Sequence, residues 1–241
     1  MSRPHGVARG EASASISRQA GGARTIRGLD PDQRRAKRLE QLLAAALELF
    51  ADKGYLNTSI EQICQAAYVG NKAFYELFNS KEDCYVALLH QISEQIKRQV
   101  VQTAEQLSDE DLAEAVRLLL STFAHAVVDD PRVAIVAFRD VGGISFEVER
   151  QRRENRRWVA SFFEELWRRY HLTAGRARVD GIETHALATG TAGGLFEIVA
   201  SWLHSTATQE ADIDDLIAEL IGFASLVHAG LLERRLSADR S

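Results

Sequence analysis

Cysteine is scarce in this chain of 241 residues: there are two, Cys64 and Cys84. Both fall inside predicted helices, so packed thiols are expected rather than a disulfide. Beyond residue 31 only Pro131 remains to interrupt a helix. No uninterrupted apolar run approaches the roughly 18 residues of a membrane-spanning helix. The first 31 residues lack the apolar stretch of a signal peptide, and the cytoplasm is the expected location. Catalytic signatures are missing too. The seven histidines (His5, His90, His125, His171, His185, His204, His228) form no HExxH pair. No Cys-rich metal spacing, G-x-S-x-G elbow or P-loop occurs. Neither an enzyme activity, nor a cofactor, nor a metal is expected, because site chemistry and not fold would have to argue for one.

Positive charge is in deficit, with a net charge of −5. The deficit is uneven. Residues 1–82 carry 12 Lys and Arg against 9 Asp and Glu, whereas residues 83–241 carry 17 against 25. The basic portion holds Arg3, Arg9, Arg18, Arg24 and Arg27, then Arg34, Arg35, Lys37 and Arg38. Such cations can condense on phosphates and raise affinity without reading sequence. A solubilising tail is the equal alternative for residues 1–28. Residues 1–31, rich in Arg, Gly, Ala and Ser, are expected to form a disordered basic tail. The acidic remainder should be repelled by nucleic acid, leaving one favoured docking face.

The most informative stretch is Thr58 to Lys81, TSIEQICQAAYVGNKAFYELFNSK. Thr58 precedes the run Ile60, Ile63, Cys64, and Glu61 follows three residues later, a capping box that opens a short helix. Ala66 and Ala67 are small enough for two helices to cross. Val69 can plug the space between them, and Gly70 tolerates turn dihedrals. Asn71, Lys72 and Ala73 open a second short helix, while Phe74 and Phe78 sit four apart and face inward. Ser80 starts a third helix with Asp83 as capping partner. This is a helix-turn-helix suited to the DNA major groove, or else an ordinary helical hairpin. Upstream, Leu39, Leu42, Leu43, Ala46, Leu47 and Phe50 recur at spacings of three and four, so an amphipathic helix ends at Lys53-Gly54.

With these flanks the chain resembles the TetR family of transcriptional regulators. The resemblance rests on Arg34, Arg35 and Lys37, followed without a gap by ALELFADKGYLNTSIEQICQAAYVGNKAFYELFNSKEDCYVALL. The start of the recognition helix in this family often reads Ser-Lys-Gly-Thr; here it is Gly70-Asn71-Lys72-Ala73. That departure bears on which operator is read. The resemblance implies an all-α fold of about nine helices. Residues 32–82 would form a three-helix DNA-binding domain, and residues 83–241 a helical ligand-binding and dimerisation domain. It also implies roles. Thr58 and Ser59 would meet a phosphate at a helix N-terminus. Gly70, Asn71, Lys72 and Ala73 would approach base edges, with Phe74 beside them. Lys72 could touch a guanine edge or only a phosphate. Tyr75 and Lys81 would hold phosphates.

Past Asp83 the pattern is helical throughout, without strand-like alternation at turn spacing. Helices are expected over Ser80–Ile96, Leu112–Val127, Val133–Phe138, Glu149–Tyr170, Ile182–Leu203 and Ile213–Leu232, with a loop at Gly142-Gly143. Gly190, Ala192, Gly193 and Gly194 lie inside one of them, where absent side chains permit close helix approach. Leu195, Ile198, Val199 and Trp202 extend an apolar stripe, and Leu216, Leu220, Phe223 and Val227 offer its counterpart. The resemblance implies that these two helices of each protomer build a homodimer; a buried intrachain hairpin is compatible with that. A cavity for a largely apolar effector is expected among the middle helices, lined by some of Phe123, Val127, Phe138, Phe146, Trp158 and Phe162, with His125 and Arg139 orienting the ligand. The run Arg152, Arg153, Arg156, Arg157 beside Glu149 and Glu154 reads as a solvated face. The expected function is a repressor released from a near-palindromic operator by its effector. A transcriptional activator on the same fold, or an all-helical ligand carrier, is the alternative.

Overall fold

The computed structural model describes residues 30–107, 112–138, 145–173, 178–179, 182–206 and 212–238. The expectations for the amino-terminal tail up to residue 29, for Arg139 and for Gly142-Gly143 lie outside those residues. The described residues form nine helices: α1 (Pro31–Lys53), α2 (Ile60–Ala66), α3 (Asn71–Tyr75), α4 (Lys81–Glu105), α5 (Leu112–Val128), α6 (Pro131–Phe138), α7 (Phe146–Arg169), α8 (Thr184–Thr206) and α9 (Ile213–Ala238). The fold is all-α apart from a ribbon of two two-residue strands, in which Arg178 pairs with Glu183 and Val179 with Ile182. Two pairs are too few for alternation to show in sequence, and the ribbon takes over the place where Ile182 was expected to open a helix.

Each amino-terminal helix has a local reason to start and stop. Pro31 pre-sets the first turn of α1, and the backbone N–H of Asp30 donates to Gln33 Oε1 at 3.1 Å. Gly54 ends the helix at φ 79°, where a side chain would be strained, and its N–H returns to the Phe50 carbonyl. Ser80 caps α4 by accepting from the Asp83 N–H, as expected from sequence. Phe50, Tyr55 and Tyr85 cluster at 5.1 to 5.7 Å, with Tyr85 edge to face on both partners, and lock the junction of α1, the following loop and α4. The Tyr85 hydroxyl crosses to α6 and donates to the Val136 carbonyl at 2.9 Å. Burial raises the pKa of that phenol, so it stays a donor. Cys64 and Cys84 are buried free thiols, and burial pushes Cys84 up to about 12, leaving it an unreactive packing residue.

Behind this unit, α7 packs along α8, α5 lies between α4 and α9, and α6 joins α1 to α5 and α8. Gly194 is where close approach is required: a Cβ there would sit 2.6 Å from Cζ of Phe223 on α9. Gly190 and Gly193 have open space instead. By length and composition, α8 and α9 are each apolar enough to cross a membrane, although neither holds an uninterrupted apolar run. Both also supply core: Leu195, Val199, Leu216 and Leu220 are buried inside the protomer.

His228 on α9 is packed against Phe163 and Trp167, each ring 6.2 Å away, and its Nε2 has no hydrogen-bond partner among the described residues. Burial lowers its pKa to about 4. The unfolded chain therefore binds a proton that the fold rejects. Stability should be fully present above about pH 6.5 and fall progressively towards pH 4, by about 3 kcal/mol. Urea midpoints at pH 7 and pH 4.5 test this. His228→Leu should flatten the difference, and an unchanged difference would assign the acid sensitivity elsewhere.

Candidate nucleic-acid interface and ligand cavity

The short helix α2 begins one residue later than the sequence suggests. Ser59, not Thr58, is its N-cap: Ser59 Oγ accepts from the Gln62 N–H at 3.1 Å, and Gln62 Oε1 accepts from the Ser59 N–H at 2.9 Å. The Thr58 hydroxyl is buried and donates to the Gly54 carbonyl at 2.8 Å, with Leu49 O at 3.2 Å. Thr58 therefore ties α2 to the end of α1 and has no hydroxyl to offer a phosphate. Ser59 stays exposed.

Lys81 is also engaged within the fold. Its Nζ donates to the carbonyls of Tyr55 and Thr58, both at 2.7 Å, and lies 4.2 Å from the centre of the Tyr55 ring. Desolvation lowers its pKa. Two of its three N–H bonds staple the α1–α2 loop to α4, leaving one for a phosphate.

On α3, Asn71, Lys72 and Tyr75 are exposed and Ala73 is half-buried. Phe74, included by its position in the motif, is fully buried against Phe78 and the edge of Tyr75; it anchors the helix and cannot meet DNA. Gly70 caps α3 at φ −71°, an ordinary value, with nothing within 4 Å of where a Cβ would be. The left-handed residue of the turn is Tyr68, at φ 54°. Arg34, Arg35 and Lys37 lie exposed on α1. Their neighbour Arg38 pairs with Glu76 at 3.2 Å, which sets the basic turn of α1 beside the end of α3 and offsets the one carboxylate there. An exposed pair of this kind adds roughly 0–1 kcal/mol, so its contribution is placement.

A cavity of about 760 Å³ opens among α4, α5, α6, α7 and α8. Phe123, Phe138 and Trp158 line it as expected, joined by Phe196, Ile92 and Ile96. Phe162 lies beyond it, in a small apolar recess beneath Phe123 and Trp158. Three other sequence candidates do not belong. Val127 is fully buried in the core. His125 faces another groove and pairs with Asp129 at 2.9 Å. Phe146 is exposed beneath the Arg153 guanidinium. The arginine run is not a uniformly solvated face either. Arg153 and Arg157 are exposed, but Arg152 and Arg156 line the cavity with Lys97, Asn155, Ser201 and His204. Arg152 lies 3.7 Å from Glu149, whereas Arg156 has no ion-pair partner among the described residues. The missed signal is the spacing: Val148, Arg152, Arg156, Val159 and Phe163 share one helix face, and Val148 and Phe163 are buried.

The proposed dimer stripe splits in two. Leu195, Val199, Leu216 and Leu220 are internal to the protomer, whereas Ile198, Trp202, Phe223 and Val227 are half-buried. Leu226, Leu232 and Leu236 on α9 are exposed.

Residues 42–88 match the family described as "Bacterial regulatory proteins, tetR family". The chain is similar to the HTH-type transcriptional activator FasR of Mycolicibacterium smegmatis, 40% identical over 72 residues, 30% of this chain and 31% of FasR. The match thus spans about a third of that relative's length. The HTH-type transcriptional regulator HbdR of Aromatoleum sp. is 24% identical over 204 residues, 85% of this chain and 73% of HbdR. Among solved structures, the fold resembles FadR from Bacillus subtilis in complex with stearoyl-CoA, with a TM-score of 0.62 and 20% identity over 79% of this chain and 98% of that one.

Proposed function

We propose that this chain, a member of the tetR family of bacterial regulatory proteins, is a sequence-specific DNA-binding regulator of transcription, not an enzyme. It acts in the cytoplasm as a homodimer on a near-palindromic operator and is released by an amphipathic anion. The observation that carries the reading is α3, which holds Asn71, Lys72 and Tyr75 outward on a buried Phe74 anchor. Two copies about 34 Å apart enter successive major grooves. Asn71 bonds an adenine edge, Lys72 a guanine edge or a phosphate, and Ser59, Tyr75, Arg34, Arg35 and Lys37 serve the backbone.

The cavity narrows the effector beyond the largely apolar ligand expected from sequence. Lys97, Arg152 and Arg156 line the cavity with one carboxylate, Glu197, among aromatic side chains. Lys97 pairs with Glu94 at 2.9 Å and Arg152 lies 3.7 Å from Glu149, so Arg156 is the cation left to meet an anionic ligand. An apolar chain carrying phosphate or carboxylate groups fits that lining, and long-chain acyl-CoA has this chemistry. FadR, solved with stearoyl-CoA, supports the choice. A route to the DNA is built in. Ala137 and Phe138 of α6 line the cavity, α6 packs on α1, and Tyr85 of α4 bonds the Val136 carbonyl. A ligand that displaces α6 moves both supports of the recognition helix and changes the spacing between the two copies.

Selection of duplexes from the source genome at low salt tests the DNA reading. Paired half-sites one helical turn apart are expected, with release on addition of stearoyl-CoA. Failure to retain any duplex would reject it. Asn71→Ala should cost about 1–3 kcal/mol and relax preference at one operator position; equal loss on random DNA would reject base readout there. A reporter on the bound promoter should fall when the protein is present. A rise would make it an activator, the mode named for FasR.

A further inference from the structure

Tyr68 combines near-complete exposure with a left-handed backbone. It occupies the turn between α2 and α3 and is 95% exposed. Its backbone is left-handed at φ 54°, a conformation that a bulky aromatic residue adopts at a cost. Two residues later stands Gly70, at an ordinary φ of −71°. The chain thus has a tyrosine where glycine would be at ease, and a glycine where any residue would serve.

The strained turn is held by two backbone hydrogen bonds and by the packing of Val69. The Tyr68 N–H donates to the Gln65 carbonyl at 3.2 Å, and the Val69 N–H to the Cys64 carbonyl at 2.9 Å. Val69 is buried beneath, so the turn cannot relax without uncovering it. The Tyr68 phenol itself makes no hydrogen bond, ring contact or ion pair among the described residues. It therefore gives the fold nothing that offsets the strain. A strained, conformationally fixed residue without internal reward points to a role outside the chain. Tyr68 lines a shallow concavity with Glu61, Gln65, Gly70 and Asn71, the first residue of α3. The absent Gly70 side chain leaves the space beside it open.

We infer that Tyr68 is a DNA-positioning residue: its hydroxyl donates to a phosphate at the edge of the major groove entered by α3, and fixes the depth at which Asn71 and Lys72 enter. This rests on the DNA-binding reading above. The phenol suits a phosphate because it is a neutral donor at the end of a rigid ring, with little rotamer freedom to lose. Left-handed turn geometry aims it away from the domain core.

The test uses the full-length protein and the duplex that the wild type selects, beside a random duplex of equal length. Tyr68→Gly should melt within about 2 °C of the wild type or above it, since strain is relieved and no contact is lost. Its affinity for both duplexes should fall about tenfold or more. Tyr68→Phe should fall about tenfold on both, with an unchanged slope of affinity against salt, because no charge is removed. Three results would overturn the inference: Tyr68→Gly binding within twofold of the wild type, Tyr68→Phe binding like the wild type, or a loss confined to the selected duplex. A Tyr68→Gly melting point several degrees lower would also overturn it, by making the ring a folding device. If the wild type itself retains no duplex, the DNA-binding reading fails instead.

Discussion

Leu226→Glu is expected to leave the protein monomeric at micromolar concentration and to weaken binding to a two-half-site duplex by about a thousandfold. Leu226 is 77% exposed on α9, flanked along the same helix by half-buried Phe223 and Val227 and by exposed Leu232. In a symmetric helical interface it would face its own copy or a near neighbour, so one substitution enters twice. Placing a carboxylate there costs several kcal/mol at each position unless it finds a cation. The DNA effect follows from geometry. One α3 supplies three or four side chains to the groove, and two linked copies bind more tightly than one by roughly 10²–10⁴ without any new contact. Sedimentation equilibrium, duplex retention and circular dichroism read the three consequences. Leu216→Glu is the contrasting variant, because Leu216 is fully buried within the protomer; it should lose helix content rather than dissociate intact. A Leu226→Glu protein that stays dimeric would place the contact surface elsewhere.

That contrast shows where sequence periodicity runs out. Leu195, Ile198, Val199 and Trp202 occupy neighbouring helical positions, and all read as one stripe. Yet Leu195 and Val199 turn into the protomer, while Ile198 and Trp202 stay half-exposed. A helix whose apolar residues cover both its buried face and a half-exposed flank is apolar over too wide an arc for the period to separate the two. α1 and α4 were legible because each has a single buried face and a clear boundary, Gly54 for one and Ser80 for the other. The helix-turn-helix was legible in outline and misread in detail. Thr58 and Ser59 both carry a capping hydroxyl, and only the nearness of the Gly54 carbonyl removes Thr58 from that task. Gly70 looked like the turn residue because glycine is the usual left-handed residue, but Tyr68 takes that conformation. Lys81 reads as a surface cation, and what engages it is two carbonyls more than twenty residues earlier in the chain. No local pattern encodes such contacts.

The arginine run is the clearest case of a pattern outweighed by composition, and it supports the largest effect expected at the cavity. Four arginines within six residues suggest a solvated face, but two of them continue the stripe of Val148, Val159 and Phe163. Such a position desolvates a guanidinium beside aromatic walls, where pairing with an anion is worth more than in water. Arg156 is half-buried and has no carboxylate partner among the described residues. Arg156→Glu should therefore lower affinity for a long-chain acyl-CoA by a factor on the order of 100 to 1,000, the scale for loss of a desolvated charge pair. Duplex binding without the ligand should stay within about twofold, since α7 lies outside the helix-turn-helix unit. Arg153→Glu, on an exposed neighbouring position, should change neither by much. Calorimetric titration and ligand-induced release from the selected duplex read both quantities. A cationic effector would bind the Arg156→Glu protein more tightly than the wild type, and that result would reverse the assignment of the cavity's charge.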